Sequence, residues 1–184
     1  YRGAGERVTI VGATEAYEVG HEQPFFVTDQ RNREATTITA TLRVISDNAY
    51  WYVSNSVTLS GSDLEKAAQR FEDDIYPIVT GHFGDILNPG VDGDPRITIL
   101  HASLGGGIAG YFDSLNLFPR EVNPTSNERE MLFMDARANR PGTDAYLATL
   151  AHELQHAVQS AADPGEEGWV SEGMSEITKE LVGY

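Results

Sequence analysis

The stretch that decides the fold is P-G-T-D-A-Y-L-A-T-L-A-H-E-L-Q-H-A-V-Q-S, residues 141–160. Pro141 and Gly142 introduce a helix, and Thr143 is placed to cap its N-terminus. An apolar stripe at helical spacing follows, formed by Tyr146, Leu147, Leu150, Leu154, Ala157 and Val158. The turn residues at 163–165 (Asp-Pro-Gly) end the pattern. We therefore predict a long amphipathic helix packed on a core.

The polar face of this helix carries His152-Glu153-Leu154-Gln155-His156, an HExxH pattern. Positions i and i+4 lie one turn apart on one face, so both imidazoles can reach one metal ion at about 2.0 to 2.1 Å. Glu153 lies beside the first histidine and can reach a water molecule there without binding the metal. We predict that His152 and His156 are metal ligands and that Glu153 is a general base. The alternative is a helix with two solvated histidines.

A catalytic zinc ion needs a third protein ligand and one open coordination position. The chain has no cysteine, so this ligand is His, Asp or Glu. The metzincin continuation H-x-x-G-x-x-H is excluded, because Gln159 and Ala162 stand where its glycine and histidine would be. Fifteen residues separate His156 from Glu172. The turn at 163–165 ends the helix and lets the next helix pack against it. Glu172 on that next helix is therefore the predicted third ligand.

The helix that carries Glu172 is predicted to start near Trp169, with Met174, Ile177 and Leu181 on one side. Glu176 lies one turn beyond Glu172 on the same face. We predict that it accepts the spare N–H of His152 or His156, which sets the tautomer. The alternative for both glutamates is a solvated acidic face, to which Glu166, Glu167 and Glu180 would also belong.

Two segments, T-L-A-H-E-L-Q-H at 149–156 and W-V-S-E-G at 169–173, resemble the gluzincins, the zinc peptidases whose third ligand is a glutamate on a following helix. Among these they are most similar to the hyicolysin-like bacterial secreted metallopeptidases. The resemblance covers about residues 95 to 184. It implies zinc at His152, His156 and Glu172, Glu153 as base, a zincin-like fold, a protein or peptide substrate and a secreted protein. The implied reaction is zinc-assisted peptide hydrolysis by an endopeptidase.

One feature departs from the gluzincin pattern. Gluzincins usually place a His or Tyr downstream of the third ligand, where it stabilises the tetrahedral oxyanion. This chain ends at Tyr184, twelve residues after Glu172. We expect from this that the catalytic domain is a fragment, truncated at its C-terminal end. The alternatives are that the oxyanion donor comes from elsewhere in the chain or that the domain does not turn over efficiently.

The rest of the sequence predicts an α+β fold in two parts. Residues 1–60 form a small antiparallel β domain, with strands at 7–11, 24–27, 36–44 and 50–53. Residues 61–184 form the zincin-like domain, with a small mixed sheet that includes strands at 96–101 and 131–135. Ser62-Asp63-Leu64-Glu65 reads as a capping box, and its helix is predicted to end at about Tyr76, because Pro77 disfavours α geometry before it.

The glycine-rich segment 105–112 is predicted to enter an edge strand onto which an extended substrate adds. Gly107, Ala109, Gly110 and Tyr111 are its candidate substrate-binding residues. A glycine-rich loop without a ligand is the alternative. Asp92-Gly93-Asp94 is a candidate calcium site, with a plain turn as the alternative.

Composition limits the classes of partner. The formal net charge of −15 disfavours binding to nucleic acid, whose phosphates it repels. No apolar run reaches the roughly 18 residues that span a bilayer. Two other functions stay open: a non-catalytic zincin-like module in which a metal only staples two helices, and an acidic binding domain with an accidental motif. The presence of Glu153 favours the enzyme, because a structural metal site needs no base.

Overall fold

Segments in which polar and apolar side chains alternate form the first half of a six-stranded sheet. The computed structural model describes residues 17–163, 165 and 168–184, and of Trp169 only the backbone. Its first strands are β1 (Glu22–Thr28), β2 (Ala35–Ile45) and β3 (Ala49–Ser54), each antiparallel to the next. The strands predicted within this range are confirmed, whereas the one predicted at 7–11 lies outside the described residues.

The second half of the sheet is β4 (Ile97–Ala102), β5 (Gly110–Phe112) and β6 (Met131–Asp135). The spatial order is β1-β2-β3-β4-β6-β5, with β3, β4 and β6 parallel and β5 antiparallel at the edge. The sheet curls enough for Tyr111 Oη of β5 to accept a hydrogen bond of 3.3 Å from the backbone of Thr28 in β1. The predicted α+β class is therefore confirmed.

The predicted domain boundary at residue 60 crosses this one sheet. β3 lies before the boundary and β4 after it, and the two strands pair directly. Trp51 of β3 is fully buried and packs edge to face on Phe71, at 5.6 Å between ring centroids. The described residues on the two sides of position 60 therefore share their cores instead of forming separate ones.

The helical segment after β3 corrects two predictions. α1 (Gly61–Arg70) is capped by Ser60, whose Oγ accepts from the backbone N–H of Asp63, so Ser62 is not the N-cap. The helix also continues past Tyr76, through a π-helical turn (Phe71–Ile75) into α2 (Tyr76–Phe83). A proline ring clashes with the carbonyl four residues earlier in a regular α-helix, and the wider π turn gives Pro77 room.

The two C-terminal helices form the layer that carries the predicted motif. α3 (Asp144–Ala162) begins after Thr143 as N-cap and buries its apolar stripe against the sheet, as predicted. α4 (Gly168–Leu181) packs on α3, but through Ser175, Thr178 and Val182. The predicted apolar side of α4 is mostly in solvent, since Ile177 is 58% and Leu181 40% exposed. No helix among the described residues is both long and apolar enough to cross a membrane.

His101 of β4 is a fully buried neutral group at the centre of the molecule. Its Nδ1 lies 3.0 Å from the backbone oxygen of Tyr52, and its Nε2 lies 2.7 Å from the hydroxyl of Tyr146 on α3. With Nδ1–H donating and Nε2 accepting, both nitrogens are satisfied without a charge. Burial lowers the pKa of His101 to about 4.

This burial predicts an acid-sensitive fold. The folded pKa lies below the value near 6.5 of an unfolded chain, so the unfolded state binds more protons as the pH falls from 6.5 to 4. We expect His101 to contribute a loss of about 1.4 kcal/mol of unfolding free energy per pH unit in this window. Denaturant unfolding of the wild type and of His101→Gln at pH 7, 5.5 and 4.5 should show the difference in free energy shrinking. Parallel curves would contradict the prediction.

Candidate metal centre and its surroundings

The helical spacing of His152 and His156 brings their imidazoles together on one face of α3. Their Nε2 atoms lie 3.1 Å apart and the rings meet edge to face. The side chains are only 13% and 17% exposed. Two ring nitrogens directed at one point are the arrangement that a shared metal ion requires.

Glu172 of α4 completes the group across the helix pair. Its Oε2 lies 3.5 Å from His152 Nε2 and its Oε1 lies 3.5 Å from His156 Nε2. Among the residues that the structure describes, these three are the one set of three or more potential ligands whose donor atoms all lie within 4.8 Å of one another. The structure thus brings together the three residues that the sequence selected.

The spacing of the three donors fits a zinc ion. Bonds of about 2.0 to 2.2 Å in a tetrahedron place neighbouring ligand atoms roughly 3.3 Å apart. The two imidazole nitrogens lie 3.1 Å apart, and each lies 3.5 Å from a different oxygen of the Glu172 carboxylate, so with one donor atom from each residue the three lie within 4.8 Å of one another. Two imidazoles and one carboxylate also leave a fourth position, which a catalytic site keeps open.

The protonation of the histidines suits metal binding. Burial lowers the pKa of His152, and the neighbouring His156 and Lys179 lower it further, against the opposing effect of Glu172 and Glu176. Burial also lowers the pKa of His156, which Glu172 opposes. Both imidazoles are therefore neutral near pH 7, and a neutral imidazole is the form that donates a lone pair to a metal.

Glu153 lies beside the cluster without belonging to it. It is 7% exposed, and its Oε2 accepts a hydrogen bond of 2.9 Å from the backbone N–H of Phe112 in β5. Burial raises the pKa of Glu153 to about 7, although the Phe112 N–H opposes the shift. The carboxylate is thus held at the edge of the sheet, close to the metal-binding group.

Glu176 lies near the outer nitrogen of His152. Its Oε1 is 3.4 Å from Nδ1 of His152, but this buried nitrogen has no hydrogen-bond partner among the described residues, so the acceptor role of Glu176 stays a prediction. Glu176 also binds Lys179 Nζ at 2.6 Å, and this hydrogen bond lowers the pKa of the carboxyl group. The glutamate is 62% exposed, so this outer contact is a solvated one.

Ser171 is a site residue that the sequence reasoning missed. Its Oγ lies 2.9 Å from Nδ1 of His156. Ser175 Oγ lies 3.3 Å from the same nitrogen, and its single proton has two acceptors in reach, the side-chain oxygen of Gln155 and, at 3.0 Å, the backbone oxygen of Ser171. For Nε2 of His156 to bind a metal, Nδ1 must carry the proton, and Ser171 Oγ is then its acceptor. The sequence signal that could have identified Ser171 is its position directly before Glu172.

This contact predicts a measurable effect on metal affinity. We expect Ser171→Ala to weaken zinc binding by roughly tenfold, the lower end of the range for outer contacts to metal ligands. Ser171→Thr keeps a hydroxyl and should restore most of the affinity. Competition with a chromophoric chelator measures both, with Ser103→Ala, at an exposed serine outside these contacts, as the control. Equal affinities in all four proteins would show that Ser171 does not orient His156.

The predicted edge strand is confirmed as β5, but its residues have different surroundings. Gly110 is pressed against β6 and α3, since a Cβ there would lie 2.9 Å from the backbone oxygen of Phe133. The ring of Tyr111 stacks on Phe133 at 4.4 Å on the far side from the helices, so it serves packing. Ala109 accepts from Asp135 N of β6, and Gly107 lies in open space with φ of +72°.

In an antiparallel pair, neighbouring residues direct their backbone groups alternately toward and away from the partner strand. Phe112 N–H points away from β6, to Glu153. The backbone of Gly110 shares that outward direction. This outward edge of β5 therefore runs alongside Glu153, which already accepts the Phe112 N–H.

Two other candidates have structural partners. Asp92 and Asp94 accept backbone N–H groups within their own loop, and Asp94 also accepts from the hydroxyl of Tyr50 at 2.9 Å. These contacts are those of a turn, and the candidate calcium site stays a prediction. Tyr184 accepts a hydrogen bond of 2.6 Å from Arg70 of α1, which directs its hydroxyl to a partner outside the metal-binding group.

Comparisons of the chain with family models and with curated protein sequences gave no match. The interpretation of the site therefore depends on its own geometry.

Proposed function

We propose that the chain is a zinc-dependent peptidase of the gluzincin type, with a zincin-like fold. The observation that carries the proposal is the convergence of His152 Nε2, His156 Nε2 and Glu172 within 3.5 Å of one another, beside a buried Glu153. A metal that only joined two helices would need no carboxylate at the position of Glu153. The edge strand β5 supports the same function, because an extended peptide can add to it.

In this proposal His152, His156 and Glu172 hold the zinc ion. A bound zinc ion supplies Lewis-acid chemistry, in that it acidifies water and polarises a peptide carbonyl. Glu153 takes the proton of the attacking water and delivers it to the departing amine. The Phe112 N–H orients the Glu153 carboxylate for this transfer. Ser171 and Glu176 act through the histidines, by holding the outer ring nitrogens.

The outward edge of β5 would orient a bound peptide along the strand. Backbone hydrogen bonds to this strand would bind an extended chain regardless of its side chains. Glu153 is bonded to the same strand, so a peptide added there passes close to the base. We propose secretion as the location of the protein, on the same resemblance that suggested the gluzincin type.

Metal analysis combined with a casein-hydrolysis assay tests the proposal. We expect one zinc ion per chain after reconstitution, hydrolysis by the zinc-loaded protein, loss of hydrolysis after chelation and its return when zinc is added. A protein that binds one zinc ion and cleaves neither casein nor a mixed peptide library would instead be the non-catalytic binding module, in which the metal only joins two helices. A protein that retains no metal would contradict the site itself.

A further inference from the structure

A cavity of about 360 Å³ opens beside the candidate metal centre. Two of the three proposed ligands, His156 and Glu172, form part of its wall, and so do Phe112 and Asp113 at the end of β5. A peptide bond cleaved at the metal centre lies at the mouth of this cavity. The cavity is therefore within reach of a side chain that flanks this bond.

Two aspartates set the charge of the cavity. Asp113 Oδ1 accepts from the backbone N–H of Leu115 at 2.9 Å, and Asp163 Oδ1 accepts from that of Gly165 at 3.0 Å. Each turn fixes its carboxylate by one oxygen. The second oxygen of each makes no hydrogen bond or ion pair with any residue that the structure describes. Both carboxylates therefore keep acceptor capacity for a ligand.

Apart from the two proposed zinc ligands, His156 and Glu172, the other described residues of the wall carry no charge. They are the polar Ser114, Gln159, Ser160 and Ser171, together with Gly168. Phe112 supplies the one large apolar surface. An aliphatic side chain would meet mainly polar groups there, whereas a long cationic side chain can lay its methylene groups on Phe112 and direct its charge to the aspartates.

We propose that this cavity binds the lysine or arginine side chain of a residue next to the cleaved bond, so that basic peptides are the substrate class. This inference rests on the proposed peptidase function. The net charge of −15 acts in the same direction, because an acidic protein attracts cationic peptides over several ångströms and repels acidic ones. The selectivity thus has a local part, at Asp113 and Asp163, and a long-range part that salt screens.

Product mapping with a peptide library tests the substrate class. The zinc-loaded wild type should cleave next to Lys or Arg about tenfold faster than next to norleucine, a neutral residue of similar length. Asp113→Asn combined with Asp163→Asn should reduce this preference to about twofold. Asparagine keeps the Oδ1 acceptor of each turn, so the backbone contacts to Leu115 and Gly165 remain.

The matched control removes the same charge elsewhere. Asp73→Asn combined with Asp85→Asn changes two exposed aspartates that do not line the cavity, and it should leave the ratio of basic to neutral cleavage unchanged. A non-turnover measurement uses Glu153→Gln: a fluorescent Lys-containing peptide should bind it more tightly than the norleucine analogue. The two cavity substitutions should remove this difference.

The outcomes separate the two proposals. Cleavage without preference for Lys or Arg, or an equal loss of preference in both double variants, would overturn the inference and leave the peptidase function standing. Absence of any cleavage by the zinc-loaded wild type would contradict the function itself. Cleavage at basic sites that depends on Asp113 and Asp163 would support both.

Discussion

Replacement of Glu153 by glutamine is expected to reduce peptide hydrolysis by about 10²- to 10⁴-fold, the range typical of removing a general acid–base group. Glutamine has the same shape and keeps an oxygen that accepts the Phe112 N–H, so β5 should stay in place. It lacks the basicity to take a proton from water. The change therefore removes the proposed chemistry and leaves the metal-binding group intact.

Two measurements make the Glu153 prediction specific. Zinc stoichiometry and affinity of Glu153→Gln should equal those of the wild type, whereas kcat/KM on a fluorogenic peptide should fall. Glu65→Gln, at an exposed glutamate of α1, controls for the loss of one negative charge. If Glu153→Gln hydrolyses peptides within a fewfold of the wild type, Glu153 is not the base and the mechanism proposed for this site is wrong.

The second large effect is expected at Glu172. Removal of its carboxylate by Glu172→Ala leaves two imidazoles to hold the ion, and we expect zinc affinity to fall more than the roughly 10- to 100-fold typical of outer contacts. Hydrolysis should fall with it, because the remaining site no longer holds the ion. Equilibrium dialysis or chelator competition gives the affinity, and circular dichroism verifies that α4 is still helical.

Neighbouring glutamates provide the comparison for Glu172. Glu180→Ala changes an exposed residue two turns further along α4 and should leave zinc binding unaltered. Glu176→Gln should have a smaller effect than Glu172→Ala, because Glu176 meets only the outer nitrogen of His152, at 3.4 Å. An affinity that is lost in Glu176→Gln and retained in Glu172→Ala would exchange the roles of the two residues.

The candidate metal ligands on α3 were predictable because helix geometry fixes their relative positions. An i, i+4 pair on one face converges whatever the tertiary structure, so His152 and His156 follow from local geometry alone. Glu172 required one further step, the return of the chain after 163–165, and its distances to both histidines agree with that step. The contact of Ser171 with His156 depends on side-chain rotamers and helix rotation, which periodicity does not specify.

The wrongly predicted helix boundaries and the missed strand pairing also have specific structural explanations. Ser60 and Ser62 are two residues apart, and the capping-box pattern selected the second, whereas the backbone turns into the helix after the first. The helix passes Pro77 because a π turn precedes it, and such a turn has no sequence signature comparable to a cap. The parallel pairing of β3 with β4 joins strands separated by two helices and a loop, so no short-range pattern shows that they are neighbours.

The rotation of α4 was not predictable from periodicity. Periodicity placed Met174, Ile177 and Leu181 on one side of the helix but did not assign the face that packs on α3. The helix turns its small hydroxyl residues toward α3, where they approach the polar residues of the site. An apolar residue at Ser171 or Ser175 would exclude the contacts that orient His156.

This rotation has a consequence for local stability. Among the described side chains of α4, the fully buried ones are Ser175 and Thr178, and the hydroxyls of Ser171 and Ser175 contact α3; such contacts contribute less free energy than a buried apolar stripe. If Glu172 binds a metal as proposed, we expect the free energy of that binding to contribute to the docking of α4 onto α3. Without metal, the amides of α4 should exchange with deuterium through local opening well before those of α3, and saturating zinc should slow them. If the proposed zinc site is correct, the docking of α4 therefore depends on the concentration of free zinc.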